Sequence, residues 1–202
     1  MNDSMNTCSA FAGHTCIATG EIQQVARHVK QALDQGAPNS ILIFDDVTSE
    51  PVEIDFRGTP ADVMARLEQS GLCAPAQAAA ETEPTGTSPR GPGRPKLGVV
   101  AREITLLPRH WDWLNSQPGG ASVALRKMVE EARRVHANRD RLRKAQESVY
   151  RFLSAMAGNL PGYEEALRAL FANNADRFAE QIETWPTDIR QHVRKISVAA
   201  FA

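Results

Sequence analysis

Cysteine is scarce and unpatterned in this chain. Cys8, Cys16 and Cys73 are the only 3 among 202 residues, an odd number without the spacing of a zinc ribbon or a redox pair. They are expected to be reduced thiols of a cytoplasmic protein. No apolar run approaches the ~18 residues that a membrane span needs. The opening Met1-Asn2-Asp3-Ser4 lacks the basic cluster and apolar run of a signal peptide. A phosphate loop, a dinucleotide fingerprint and a zinc-ligand spacing are all missing. The five histidines (His14, His28, His110, His136 and His192) are scattered, with no nucleophile or carboxylate at a telling spacing. The expectation is a non-enzymatic chain, with no catalytic residue, no metal ligand, no cofactor and no membrane partner.

Excess charge is also missing from the total, which is −1, but not from the parts. Residues 1–89 hold 4 basic and 12 acidic side chains, a net −8. Residues 90–151 hold 14 basic and 6 acidic, a net +8, and residues 152–202 hold 5 and 6, a net −1. One strongly positive module therefore sits inside an otherwise acidic chain. A concentrated positive field favours a polyanion, since each phosphate contact releases condensed counterions. A solvated charged helix accounts for Arg133 to Lys144, but not for the separate basic cluster near Arg94.

With 42% hydrophobic residues the chain can bury a core, and its patterns divide it into four stretches. The fold class expected is α+β. Residues 7–71 read as a small ββαββα domain. Thr7 to Phe11 and Thr15 to Thr19 form a hairpin around Gly13-His14. Ile22, Val25, Ala26, Val29 and Leu33 have helical spacing. Ser40 to Phe44 is a buried strand, and Val52, Ile54 and Phe56 alternate as a returning one. Thr59-Pro60 is a helix entry, with Thr59 as N-cap and Pro60 at the first helical position. Residues 72–98 are rich in Ala, Pro, Gly, Thr and Ser and read as a disordered linker. Residues 99–137 show a strand–helix–helix pattern. Val99 to Leu107 is β-prone, Pro108 opens a helix carrying Trp111 and Leu114, Pro118-Gly119-Gly120 turns, and Ser122 caps a second helix. Residues 138–202 read as a helical hairpin or bundle, with one stripe of Val149, Phe152, Leu153 and Met156.

Two stretches carry the functional reading. Ser88 to Lys96 contains Gly93-Arg94-Pro95-Lys96, which resembles the core of an AT-hook. Prolines keep such a strip extended and glycines keep it thin, so its arginines can enter a narrow A·T minor groove. Pro92 interrupts the pattern between Arg90-Gly91 and Gly93-Arg94. Residues 102–134 resemble the ribbon–helix–helix family of DNA-binding proteins. The likeness rests on Leu107-Pro108, Trp111, Leu114, Gly120, Ser122, Leu125, Met128, Val129 and Ala132. It implies a homodimer whose paired strands enter the major groove. It further implies that Ser122 and Val123 offer free helix N–H groups to a phosphate, aided by Arg126 and Lys127. In one strand register Arg102, Ile104 and Leu106 face DNA; in the other Ala101, Glu103 and Thr105 do. The DNA-contacting residues expected are thus Arg90, Arg94, Lys96, Arg102, Ser122, Arg126 and Lys127, on AT-rich DNA.

Phe11-Ala12-Gly13, Phe44-Asp45-Asp46, the run from Gly91 to Arg133, and Met156 to Tyr163 give the whole chain a further likeness. It resembles a family of uncharacterised bacterial proteins, known as a domain of unknown function. That likeness implies a shared architecture and supplies no activity. The resulting expectation is a bacterial transcriptional regulator or nucleoid-associated factor, with a ligand or protein partner at the N-terminal domain left open. Two alternatives stand beside it. One is an interaction module whose basic segment docks on an acidic partner. The other is a small enzyme using Asp45 or His14, with Cys8, His14 and Cys16, or the acidic turn from Asp45 to Asp55, as weaker metal candidates.

Overall fold

A computed structural model describes residues 7–37, 40–70, 100 and 102–201. The described chain is mixed α+β, a three-stranded antiparallel sheet with seven α-helices. It separates into two units, one of residues 1–80 with 139–202 and one of residues 81–138.

The first unit is built on strands β1 (Thr7–Ala12), β2 (Thr15–Glu21) and β3 (Ile41–Asp45), in the order β2-β1-β3. Gly13 sits at the hairpin tip with φ +58°, a backbone state that favours glycine. Helix α1 (Ile22–Asp34) crosses from β2 to β3. Helix α2 (Pro60–Gln69) starts as its sequence predicts. The Thr59 hydroxyl accepts from the Asp62 N–H, and the Asp62 carboxylate accepts from the Thr59 N–H, a reciprocal cap.

Strand alternation divides the apolar side chains between two cores. Cys8, Ala10 and Ile43 face one way and pack with Val25, Ala26 and Val29 of α1 and Leu67 of α2. Phe11 and Phe44 face the other way, onto Val149, Phe152, Leu153, Ile182, Ile189 and Val193. The second core belongs to α4 (Gly120–Met156), α5 (Tyr163–Phe171), α6 (Ala175–Ile182) and α7 (Thr187–Ser197). The stretches 7–71 and 138–202, divided by the sequence reading, therefore share one core. The C-terminal stripe closes on the far face of the sheet rather than on itself. Polar ties run the same way: the buried hydroxyls of Ser49 and Ser148 lie 2.9 Å apart, and Arg151 donates to the Thr48 carbonyl at 3.0 Å.

Three expected elements differ. The returning strand at 51–56 is reduced to a bridge between Phe44 and Pro51 and one bond from the Val52 N–H to the Ile43 carbonyl. Beyond it, the carbonyls of Asp55 and Arg57 accept from the Arg66 guanidinium instead of a strand partner. The helical pattern expected over 138–202 is interrupted at Asn173, whose φ is +54°. Asn174 then caps α6 by accepting from the Arg177 N–H. No helix boundary falls near residue 138: α4 runs for 37 residues. Residues 121–157 contain neither glycine nor proline, and Ala, Arg, Leu, Glu and Lys favour helix throughout.

Candidate nucleic-acid interface

The second unit supplies the surface to test. Helix α3 (Pro108–Ser116) begins at the expected proline, whose fixed φ suits a first helical position. Leu114 is buried and Trp111 half-buried, as their shared stripe predicts, while Trp113 is exposed. Gly119 and Gly120 then turn the chain with φ of +87° and +75°. Because these glycines make the break, α4 opens at Gly120. Ser122 therefore lies inside the first turn of α4 rather than at its N-cap.

That first turn has a defined chemistry. It contains no acidic residue, and neither does the first turn of α3. The leading N–H groups of a helix lack intrahelical partners and carry partial positive charge. Arg126 lies one turn further along, its Nε donating to the Ser122 carbonyl at 3.1 Å. Ser122, Arg126 and Lys127 are all exposed. Of the predicted contact residues, the fold thus brings Ser122 and Arg126 together. Further along α4 three arginines are matched within the helix. Arg133 pairs with Glu130, Arg134 with Glu131 and Arg143 with Asp140, each three residues apart. Such exposed pairs contribute little stability, and residues 139–151 still hold 5 basic against 2 acidic side chains.

Residues 102–107 form no ladder within the single chain. A ribbon requires a second strand, and no other segment of the described chain pairs there. Arg102, Glu103, Ile104 and Thr105 are all exposed, so neither strand register is selected. Arg90, Arg94 and Lys96, with the AT-hook-like segment and the linker 72–98, lie outside the described residues.

The unit also exposes apolar side chains. Ile104, Leu107, Trp113, Met128, Val129 and Val135 are between 43% and 62% exposed. These residues contribute to neither buried core. The sequence signal for this was present: Met128, Val129 and Val135 have core-like helical spacing without enough neighbouring chain to cover them.

The weaker metal and enzymatic candidates resolve differently. Cys8 faces the α1 core, whereas Cys16 packs against the opposite one. Among the described residues no three His, Cys, Asp or Glu side chains are grouped to hold a metal ion. Asp45 lines a cavity with Cys8 and Glu50, but its Oδ1 accepts from the N–H groups of Val47 and Thr48 and from the Thr48 hydroxyl. It is committed to shaping the turn. His14 borders a shallow cavity of about 160 Å³ beside Phe11, Ser40, Leu42 and Met156.

No described helix is long and apolar enough to cross a membrane. A family model described as an uncharacterized protein conserved in bacteria (DUF2239) matches residues 7–197. No curated protein and no solved structure matches the chain.

Proposed function

We propose, for a chain that belongs to this uncharacterised bacterial family, a DNA-binding role as a homodimer, as a transcriptional regulator or nucleoid-associated factor. The observation that carries the reading is the start of α4, whose acid-free first turn holds the exposed Ser122 and is followed one turn on by the exposed Arg126 and Lys127. The helix dipole and its leading N–H groups favour a phosphate there, with two basic side chains one turn away. The net +8 of residues 90–151 gives the attraction its long range. Arg102 and Lys127 extend the basic surface, and Arg90, Arg94 and Lys96 supply minor-groove anchors from the preceding segment. The exposed Ile104, Trp113, Val129 and Val135 support dimerisation, since a two-helix unit of this size cannot cover them alone. The same apolar surface favours one alternative, an interaction module that docks on another protein.

Fluorescence anisotropy of the full chain with AT-rich and GC-rich duplexes, across a salt series, separates these readings. The expected result is binding that weakens steeply with salt. Arg126→Ala/Lys127→Ala should weaken binding to both duplexes and flatten the salt dependence by about one unit of slope per lost phosphate contact. Arg94→Ala/Lys96→Ala should remove the preference for AT-rich DNA. No binding at low salt, where non-specific attraction is strongest, overturns the proposal and leaves the interaction module in front.

A further inference from the structure

Helix α4 carries a pattern that neither buried core uses. Leu125, Met128, Ala132, Val135, Arg139 and Leu142 follow one another at alternating steps of three and four residues. That alternation gives the heptad repeat, which keeps one seam of a helix facing a partner helix. Val129 lies at the edge of the seam. They all belong to one uninterrupted helix, Gly120–Met156.

Nothing in the described chain covers the middle of this seam. Every residue from Arg126 to Arg139 is exposed, so for about four turns α4 has no buried face. Met128 is 43% exposed, Val129 56% and Val135 62%. Helices in proteins owe most of their stability to the packing of an apolar face, and here that face is present without its counterpart.

The seam is complementary to itself when a second copy runs the other way. A two-fold axis between Arg133 and Arg134 sets Leu125 level with the partner's Leu142, Met128 with the partner's Arg139, and Ala132 with the partner's Val135. The residue numbers of each pair have the same sum, so a single axis serves every pair. A parallel arrangement instead meets each residue with its own copy, and sets Arg139 against the partner's Arg139. Like charges facing one another across an interface are costly. Arg139 forms no ion pair with the described residues, unlike Arg133, Arg134 and Arg143. In the antiparallel arrangement its aliphatic stem lies along the partner's Met128, and its guanidinium stays in water at the rim.

We infer that the exposed stretch of α4 pairs with the same stretch of a second copy as a short antiparallel coiled coil. A homodimer is already part of the DNA-binding reading; the seam supplies its surface and its direction. It also fixes a length. Ser122 comes level with the partner's Ala145, so at a rise of about 1.5 Å per residue the two α4 starts lie about 35 Å apart. That is about one turn of duplex DNA. The match to DNA rests on the DNA-binding reading, whereas the seam does not.

Sedimentation velocity of the full chain without DNA, across a micromolar concentration series, tests the pairing. The wild type should be a dimer. Met128→Lys sets a lysine against the partner's Arg139, and should raise the dimer dissociation constant about tenfold or more. Met128→Lys/Arg139→Glu sets lysine against glutamate in the antiparallel register, and should restore the dimer. In a parallel register the same double variant sets like against like at both positions, and stays as weak or weaker. A monomeric wild type, a dissociation constant indifferent to Met128→Lys, or a double variant that fails to recover overturns the inference. Salt-dependent duplex binding that persists in any of those cases leaves the DNA contacts of α4 standing and removes only the seam.

Discussion

Lys195 Nζ donates to Asp46 Oδ2 at 2.7 Å, which ties α7 to the turn after β3 across 149 residues of sequence. The pair is asymmetric. The lysine side chain is 58% exposed, whereas the aspartate is 5% exposed. Removing either partner should therefore have different consequences. Lys195→Met strands a buried carboxylate on the Ser9 hydroxyl alone, and should cost about 1–3 kcal/mol. Asp46→Asn leaves only an exposed ammonium, which water can solvate, and should cost less. A double-mutant cycle by urea denaturation measures the coupling. Equal costs for the two single variants would show that the burial of Asp46 has no weight in the fold.

The buried imidazole next to this pair makes stability depend on pH. Burial pushes the His192 pKa down to about 4; Lys195 adds to the depression and Asp46 partly offsets it. Asp188 and Cys16 line one cavity with His192, beside α7. The unfolded chain binds the proton at an ordinary histidine pKa near 6.5, so between the two values the unfolded state holds more protons. The contribution from a neutral His192 is then complete above about pH 6.5 and fades as pH falls towards 4. The stability of the wild type should drop across this window, and His192→Phe should flatten the drop. A profile that keeps its slope in the variant would assign it to other groups.

The described cysteines should be poor nucleophiles. Burial pushes the Cys8 thiol up to about 12, with Asp45 and Asp46 adding to the shift. Burial raises Cys16 too, while its bond to the Ala18 carbonyl and the nearby Lys195 partly offset the rise. The thiolate is the reacting species, so alkylation by iodoacetamide at neutral pH should be slow at both. Cys8, 1% exposed, should label only as fast as the fold opens, and Cys16 should label faster. A Cys73→Ser background isolates the two sites for mass spectrometry. Rapid native labelling of Cys8 would contradict its burial.

Local signals were readable wherever one residue type dictates one geometry. Thr59-Pro60 announced the α2 cap, Gly13-His14 the hairpin tip, and Pro108 the start of α3. The mixed α+β class followed from the alternation of 2- and 3.6-residue periods. What stayed hidden depends on distant partners. Nothing local to Phe11 or Phe44 says that Phe152 lies 5.4 and 5.2 Å away, so the N- and C-terminal stretches read as separate domains. The loss of a strand after Pro51 depends on Arg66 capturing two carbonyls, a competition that alternation does not reveal. The polar face of α7 had a signal that went unread. Asp188, His192 and Lys195 form a polar stripe beside the apolar stripe of Ile189, Val193 and Ile196. The scattered look of the histidines in sequence hid it.

The shared core makes a prediction about cooperativity. Phe152 is fully buried, with ring centroids 5.4 Å from Phe11, 5.2 Å from Phe44 and 4.4 Å from His192. It is the point where α4 meets both β1 and β3. Phe152→Ala should cost about 3–5 kcal/mol, from lost burial and the cavity left behind. If the sheet and the C-terminal helices stabilise one another, the loss should appear in both at once. Native-state hydrogen exchange follows this by residue. The amides of Ala10, Ile43 and Val193, from the three elements, should lose protection together and by similar amounts. Retained protection in β1 and β3, with loss confined to α7, would mean that residues 7–70 hold their structure without the helices.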